Sequence, residues 1–148
     1  MNADQLALVG LAAEILAGRT TNEQLAAVER SESRTDEALW RELADAGLVG
    51  IAIPEAHGGA GLGLVEVCLL LEQVGRFVAP VPLWETAVAA LALAHGSAAQ
   101  QEKWLPAVAA GTKRLSLVAS LSGPQAITYD GALQGAALVS GASDALVV

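Results

Sequence analysis

At 148 residues the chain is long enough to bury a core of its own, and it corresponds to one domain or to one domain and part of another. It is 53% apolar with a net charge of −8, and its eight basic residues are scattered, an electrostatic surface that argues against binding nucleic acid or anionic membranes. No apolar run approaches the ~18–20 residues of a membrane span, and a single cysteine excludes an internal disulfide framework or a cysteine-rich metal site.

The first segment, "MNADQLALVGLAAEILAG", carries Asp4 and Glu14 and no basic leader region, so it reads as a helix rather than a signal peptide. With the lone cysteine this points to a cytoplasmic setting. Thr21 and Gln24 have the spacing of a reciprocal N-terminal cap and open a second helix. Thr35 is the expected N-cap of a third, with Asp36 and Glu37 placed where the helix dipole favours acids. In "DEALWRELADAGL" the residues Leu39, Leu43 and Ala46 share a face, and Gly47 suits the stop.

"IAIPEAHGGAGLG" follows, a segment that could be a catalytic loop, a phosphate cradle or a sharp bend. A dinucleotide fingerprint needs a strand before the glycines and a helix after them within a βαβ unit. Here a helix precedes, so the glycines are read as a packing turn that supplies positive φ and close backbone approach. Leu64, Val67, Cys68, Leu71 and Val74 then repeat at helical spacing, and the apolar character on most sides predicts a central helix.

"APVP" breaks the chain, with Pro82 suited to the first turn of a helix over Leu83–His95 that stops at Gly96. Ser97 and Gln100 repeat the capping pattern and open a sixth helix. Trp104, Leu105 and Val108 are expected to face inward there, and Pro106 to bend or shorten it. Trp40, Trp84 and Trp104 are all read as core.

From Leu115 the period changes to two: "LSLVASL" alternates as a half-buried strand does. Asp130-Gly131, between two apolar runs, is a hairpin signal, and "ALVV" is a further strand. The basic residues all lie at or before Arg114. The fold class is therefore a mainly α N-terminal bundle of about six helices (residues 1–113), followed by the beginning of an antiparallel β-domain (114–148), α+β overall.

Taken as isolated chemistry the inventory is thin. His57 and His95 are far apart, no Ser/His/Asp set is recognisable, and no metal ligand set is expected. Glu66 and Glu72 fall on different helix faces. Glu85 is a lone acid in an apolar helix, read as a solvated position.

The order of features is more informative. "LWRELADAGLVGIAIPEAHGGAGLGLVEVCLLLEQVGR" resembles the N-terminal signature of the acyl-CoA dehydrogenase family: a Trp-containing helix, a Pro-Glu and glycine loop, and an apolar helix ending near Gly-Arg. "AHGSAAQQEKWLPAVAAGTKRLSLVAS" continues the likeness, and the tail "DGALQGAALVSGASDALVV" resembles strands of the family's middle domain. The resemblance implies a flavoprotein, with FAD as cofactor, that oxidises an acyl-CoA thioester to a 2-enoyl-CoA and passes electrons to an electron-transferring flavoprotein. It also implies a homo- or hetero-oligomer, dimeric or tetrameric, in fatty acid or steroid catabolism.

By the same resemblance Leu117, Ala119 and Ser120 fall at flavin-contact positions, and Val81, Trp84 and Val88 wall the acyl pocket. No catalytic residue is assigned, since the family's glutamate base lies in a C-terminal domain without counterpart here. His57 stands where the family often has an aromatic. The sequence reads "SLSGPQAITYDG" where the family has "TEP…GSD", which motivates an alternative: a flavin-free partner subunit of a heteromeric dehydrogenase, structural rather than catalytic. An unrelated helical binding scaffold is the third reading.

Overall fold

The computed structural model describes the backbone of residues 1–119, 136–140 and 145–147, and the side chains of residues 1–116. Six helices come first: α1 (Ala3–Arg19), α2 (Asn22–Glu29), α3 (Glu37–Asp45), α4 (Leu64–Arg76), α5 (Leu83–Leu93) and α6 (Ala98–Ala109). A 3-10 turn, Glu55–His57, sits between α3 and α4. Among the described residues three strands follow: β1 (Leu115–Ala119), β2 (Ala136–Ser140) and β3 (Ala145–Val147).

The caps expected at Thr21/Gln24 and Ser97/Gln100 are both formed, each with side chain and backbone bonded reciprocally. A third, Asn2/Gln5, opens α1. At α3 the N-cap is Asp36 rather than Thr35, because the Asp36 carboxylate accepts from the backbone N–H of Ala38 and of Leu39. The stop at Gly47 holds: Gly47, at φ +75, donates to Ala44 O while Leu48 donates to Leu43 O, which satisfies two carbonyls of the last turn.

The helix at the centre of the molecule is α5, not α4 as expected. Leu83 and Ala87 belong to one core cluster, with Leu16, Leu39, Trp40, Leu43 and Leu70 among its members. Ala89, Ala90 and Leu93 belong to a second, with Ile53, Leu105, Val108 and Leu115. A helix with alanine on its packing surface can approach neighbours closely on several sides. By contrast α4 buries Val67, Leu70 and Gln73, and leaves Leu64 61% and Val65 60% exposed. Cys68 is exposed too, so the predicted stripe is split: Val67 is buried and Leu71 and Val74 pack against the first core cluster, while Leu64 and Cys68 lie on the outer face.

The glycine segment is a compact backbone knot. Ala60 donates to Gly50 O, Gly61 to Ile53 O and Leu62 to Ile51 O. Gly58 has φ +82, and a Cβ on Gly59 would collide with the Ile53 carbonyl, so both glycines are required for the reasons inferred from sequence.

Two proline expectations change in detail. Pro82 is the N-cap and Leu83 the first helical residue of α5. That helix ends at Leu93, where His95 and Gly96 donate to Ala92 O and Leu93 O in a tightened final turn. Pro106 lies inside α6 without shortening it, and Ala110 still donates to the Pro106 carbonyl.

In the sheet, β1 pairs with β2 in parallel and β2 with β3 antiparallel, so these strands are mixed rather than antiparallel throughout. The Asp130-Gly131 hairpin signal lies outside the described residues. The start of β1 is buried on both sides rather than half-buried: Leu115 joins the second core cluster, and Ser116 is only 1% exposed. It lies against α5, where the Thr86 hydroxyl donates to Leu115 O at 3.2 Å.

Candidate functional site

α5 turns an apolar surface outward as well as inward. Its inner half carries Leu83, Thr86, Ala87, Ala90 and Leu93. The opposite half carries Trp84, 45% exposed, and Val88, half-buried one turn further on, followed by Leu91 and Ala92. Trp84 and Val88 are thus brought together at i, i+4 on one face. Val81, in the turn before the helix, packs partly against the first core cluster. It also lines a concavity of about 230 Å³ with Arg34, Pro80 and Glu85, formed where the α2–α3 loop meets the α4–α5 turn. That junction is fixed by the Asp36 N–H donating to Pro80 O at 2.9 Å.

Of the three tryptophans expected in the core, Trp40 is fully buried, Trp104 packs partly buried against the second core cluster, and Trp84 is not core. Trp40 is buried, and its indole N–H donates to Gly111 O at 2.8 Å. Trp104 is half-buried under the Lys103 ammonium, 4.9 Å from the ring centroid, and Trp84 faces outward. Glu85 is half-buried rather than solvated.

Of the positions read as flavin contacts, Leu117 and Ala119 lie in β1, paired with Leu138 and Ser140 of β2. Ser120 lies outside the described residues. The donor set is sparse, since neither a leucine nor an alanine side chain has a hydrogen-bonding group.

Glu66 is engaged at the N-terminus of α4: Gln5 Nε2 donates to its Oε1 at 2.9 Å and the Gly63 N–H to its Oε2 at 3.1 Å. The Gln5 amide first, then the backbone N–H groups of Glu66 and Gly63, hold its carboxyl below the ordinary value of 4.5. Among the described residues no three His, Cys, Asp or Glu side chains converge on a metal position, and no helix is long and apolar enough to cross a membrane.

A surface that sequence reasoning missed is the outer side of α4. Leu64, Val65, Cys68, Leu69 and Glu72 line a shallow apolar concavity of about 320 Å³. The signal was present: α4 has more apolar residues than one buried face can use.

Comparison with known proteins adds to this geometry. The family described as "Acyl-CoA dehydrogenase, N-terminal domain" matches residues 2–112. Acyl-CoA dehydrogenase FadE27 of Mycobacterium tuberculosis is 38% identical over 112 residues, which are 74% of this chain and 30% of that protein. Mitochondrial isovaleryl-CoA dehydrogenase of Arabidopsis thaliana is 36% identical over 80 residues, 51% of this chain and 20% of that one. Among solved structures, the "Tcur3481-Tcur3483 steroid ACAD G363A variant" superposes with a TM-score of 0.81 at 43% identity, covering 97% of this chain and 46% of its own. The ChsE4-ChsE5 complex from Mycobacterium tuberculosis superposes with a TM-score of 0.77 at 28% identity, covering 99% and 39%. The chain therefore spans under half the length of each of these relatives.

Proposed function

The chain belongs to the acyl-CoA dehydrogenase family, and from that premise we propose that it is the N-terminal part, or a subunit, of a flavoprotein that oxidises acyl-CoA thioesters to 2-enoyl-CoA. In this reading residues 1–113 are the helical domain and 114–148 the opening of the middle β-domain. The observation that carries it is the outer face of α5. Trp84 and Val88 form an apolar wall turned away from the bundle core, and Val81 lies at its edge. Such a wall would hold an acyl chain and keep water from it. The outer face of α4 supports the same reading, because apolar surface left exposed on this scale is normally covered in an assembly. Acyl-CoA as substrate, an electron-transferring flavoprotein as electron acceptor and a homo- or hetero-oligomeric assembly belong to this proposal.

Toward the family's FAD, the residues read as contacts bring little side-chain chemistry of their own. Leu117 and Ala119 offer only backbone groups, and the sole hydroxyl in the set is that of Ser120. This favours a second reading, in which the chain is the partner subunit of a heteromeric dehydrogenase and its partner holds the flavin. The steroid ACAD and ChsE4-ChsE5 likenesses, each described by two paired names, support it.

One experiment separates the readings. The chain is purified alone and, separately, co-expressed with a dehydrogenase subunit, and flavin absorbance is measured in each. The partner reading expects flavin only in the co-purified complex. About one flavin per chain in the protein purified alone would overturn it. Failure to associate with any acyl-CoA dehydrogenase subunit, together with no acyl-CoA binding, would remove both.

A further inference from the structure

Gln101 lies in the first half of α6, and its side chain reaches back across the corner between α5 and α6. Its amide nitrogen is 3.0 Å from Ala94 O and 2.9 Å from Gly96 O. Two carbonyls at those distances take both amide hydrogens. The reversed amide would set oxygen against two oxygens, so the orientation of the group follows from chemistry.

The amide oxygen is then the end that faces His57, with Nε2 3.3 Å away. An amide oxygen has no hydrogen to give, so the imidazole must supply one. We propose that Gln101 is a strap joining the glycine loop to the α5–α6 corner, and that it holds His57 with its proton on Nε2. In the neutral ring Nδ1 is then left as the acceptor.

Both residues are half-buried and 44 positions apart. The strap therefore connects two segments that each close locally as turns. Glycine-loop hydrogen bonds such as Ala60 to Gly50 O and Gly61 to Ile53 O close the loop on itself. Gln101 gives it an attachment to the end of α5, the helix whose outer face is described above. The inference does not depend on what that face binds.

The test uses the 148-residue chain. Long-range proton–nitrogen correlation spectra of the ¹⁵N-labelled protein, at alkaline pH where imidazole is neutral, read the His57 tautomer directly. The Nε2–H form is expected, with a proton protected enough to be seen and lost to solvent exchange in Gln101→Ala.

The Nε2–H form predominates in free imidazole side chains as well, so a second measurement carries the coupling. In a cycle of His57→Phe, Gln101→Ala and the double variant, the unfolding equilibrium constants should depart from simple multiplication by about 2- to 10-fold, the range for a net hydrogen bond. Gln101→Glu keeps an acceptor towards His57 but removes both donors, and should speed amide exchange at residues 94–96 without changing the tautomer. An Nδ1–H ring in the unmodified protein, or strictly multiplicative effects in the cycle, overturns the proposal.

Discussion

Neighbouring glycines do different work in this chain. Gly58 is held at φ +82, and a Cβ there would meet only Ala109 Cβ at an ordinary contact distance of 4.0 Å, so its requirement is conformational. Gly59 has no such φ, but a Cβ there would run into the Ile53 carbonyl and, at 2.6 Å, the Gly50 carbonyl, so its requirement is steric. Gly58→Ala should cost about 1 kcal/mol, the usual penalty for an L-residue in the left-handed region. Gly59→Ala should cost more, because backbone oxygens cannot move aside as a flexible side chain can. Thermal melts of the two variants check the order, and a Gly58 variant less stable than the Gly59 one would contradict it. That glycines were needed here was legible in the sequence. Which constraint governs each was not, because the Ile53 carbonyl is brought to Gly59 only by the folded loop.

At the scale of elements, α4 shows what periodicity can and cannot tell. The repeat of Leu64, Val67, Cys68, Leu71 and Val74 established a helix, yet two overlapping apolar stripes compete on it. The buried one runs through Val67 and Leu70. Leu70→Ala should therefore destabilise by about 2–5 kcal/mol, as a buried leucine truncation does. Val65→Ser, on the outer stripe, should change stability by no more than about 0.5 kcal/mol. Denaturant unfolding of both variants tests the assignment, and equal losses would mean that the outer stripe is buried in solution. Caps were read more reliably than faces, because Thr21/Gln24 and Ser97/Gln100 need only their own backbone. Thr35 was displaced by Asp36, whose N–H is drawn to Pro80 O by the tertiary junction there.

At the scale of the molecule, a long-range contact ties the N-terminal helix to the bundle: Gln5 to Glu66, 61 positions apart. The Glu66 carboxyl is held below its ordinary value, first by Gln5 and then by backbone N–H groups. A group whose folded-state value is depressed contributes stability that is fully present above the unfolded value near 4.5 and is lost as pH falls through the folded value. Acid should therefore loosen the α1–α4 contact in that window. Glu66→Gln should remove that part of the acid dependence, as read by hydrogen exchange in α1 between about pH 6 and about pH 3. An unchanged acid profile in the variant would show that Glu66 does not carry it.

The family, the six helices and the onset of strand at Leu115 follow from local order along the chain: caps, breakers and a change of period, each written within a few residues. The centrality of α5, the outward faces of α4 and of Trp84, the burial of Ser116 and the parallel pairing of β1 with β2 were decided in three dimensions. A helix with apolar residues on more than one side does not record which side another element will cover. That choice is made by the competition among neighbouring surfaces as the chain packs.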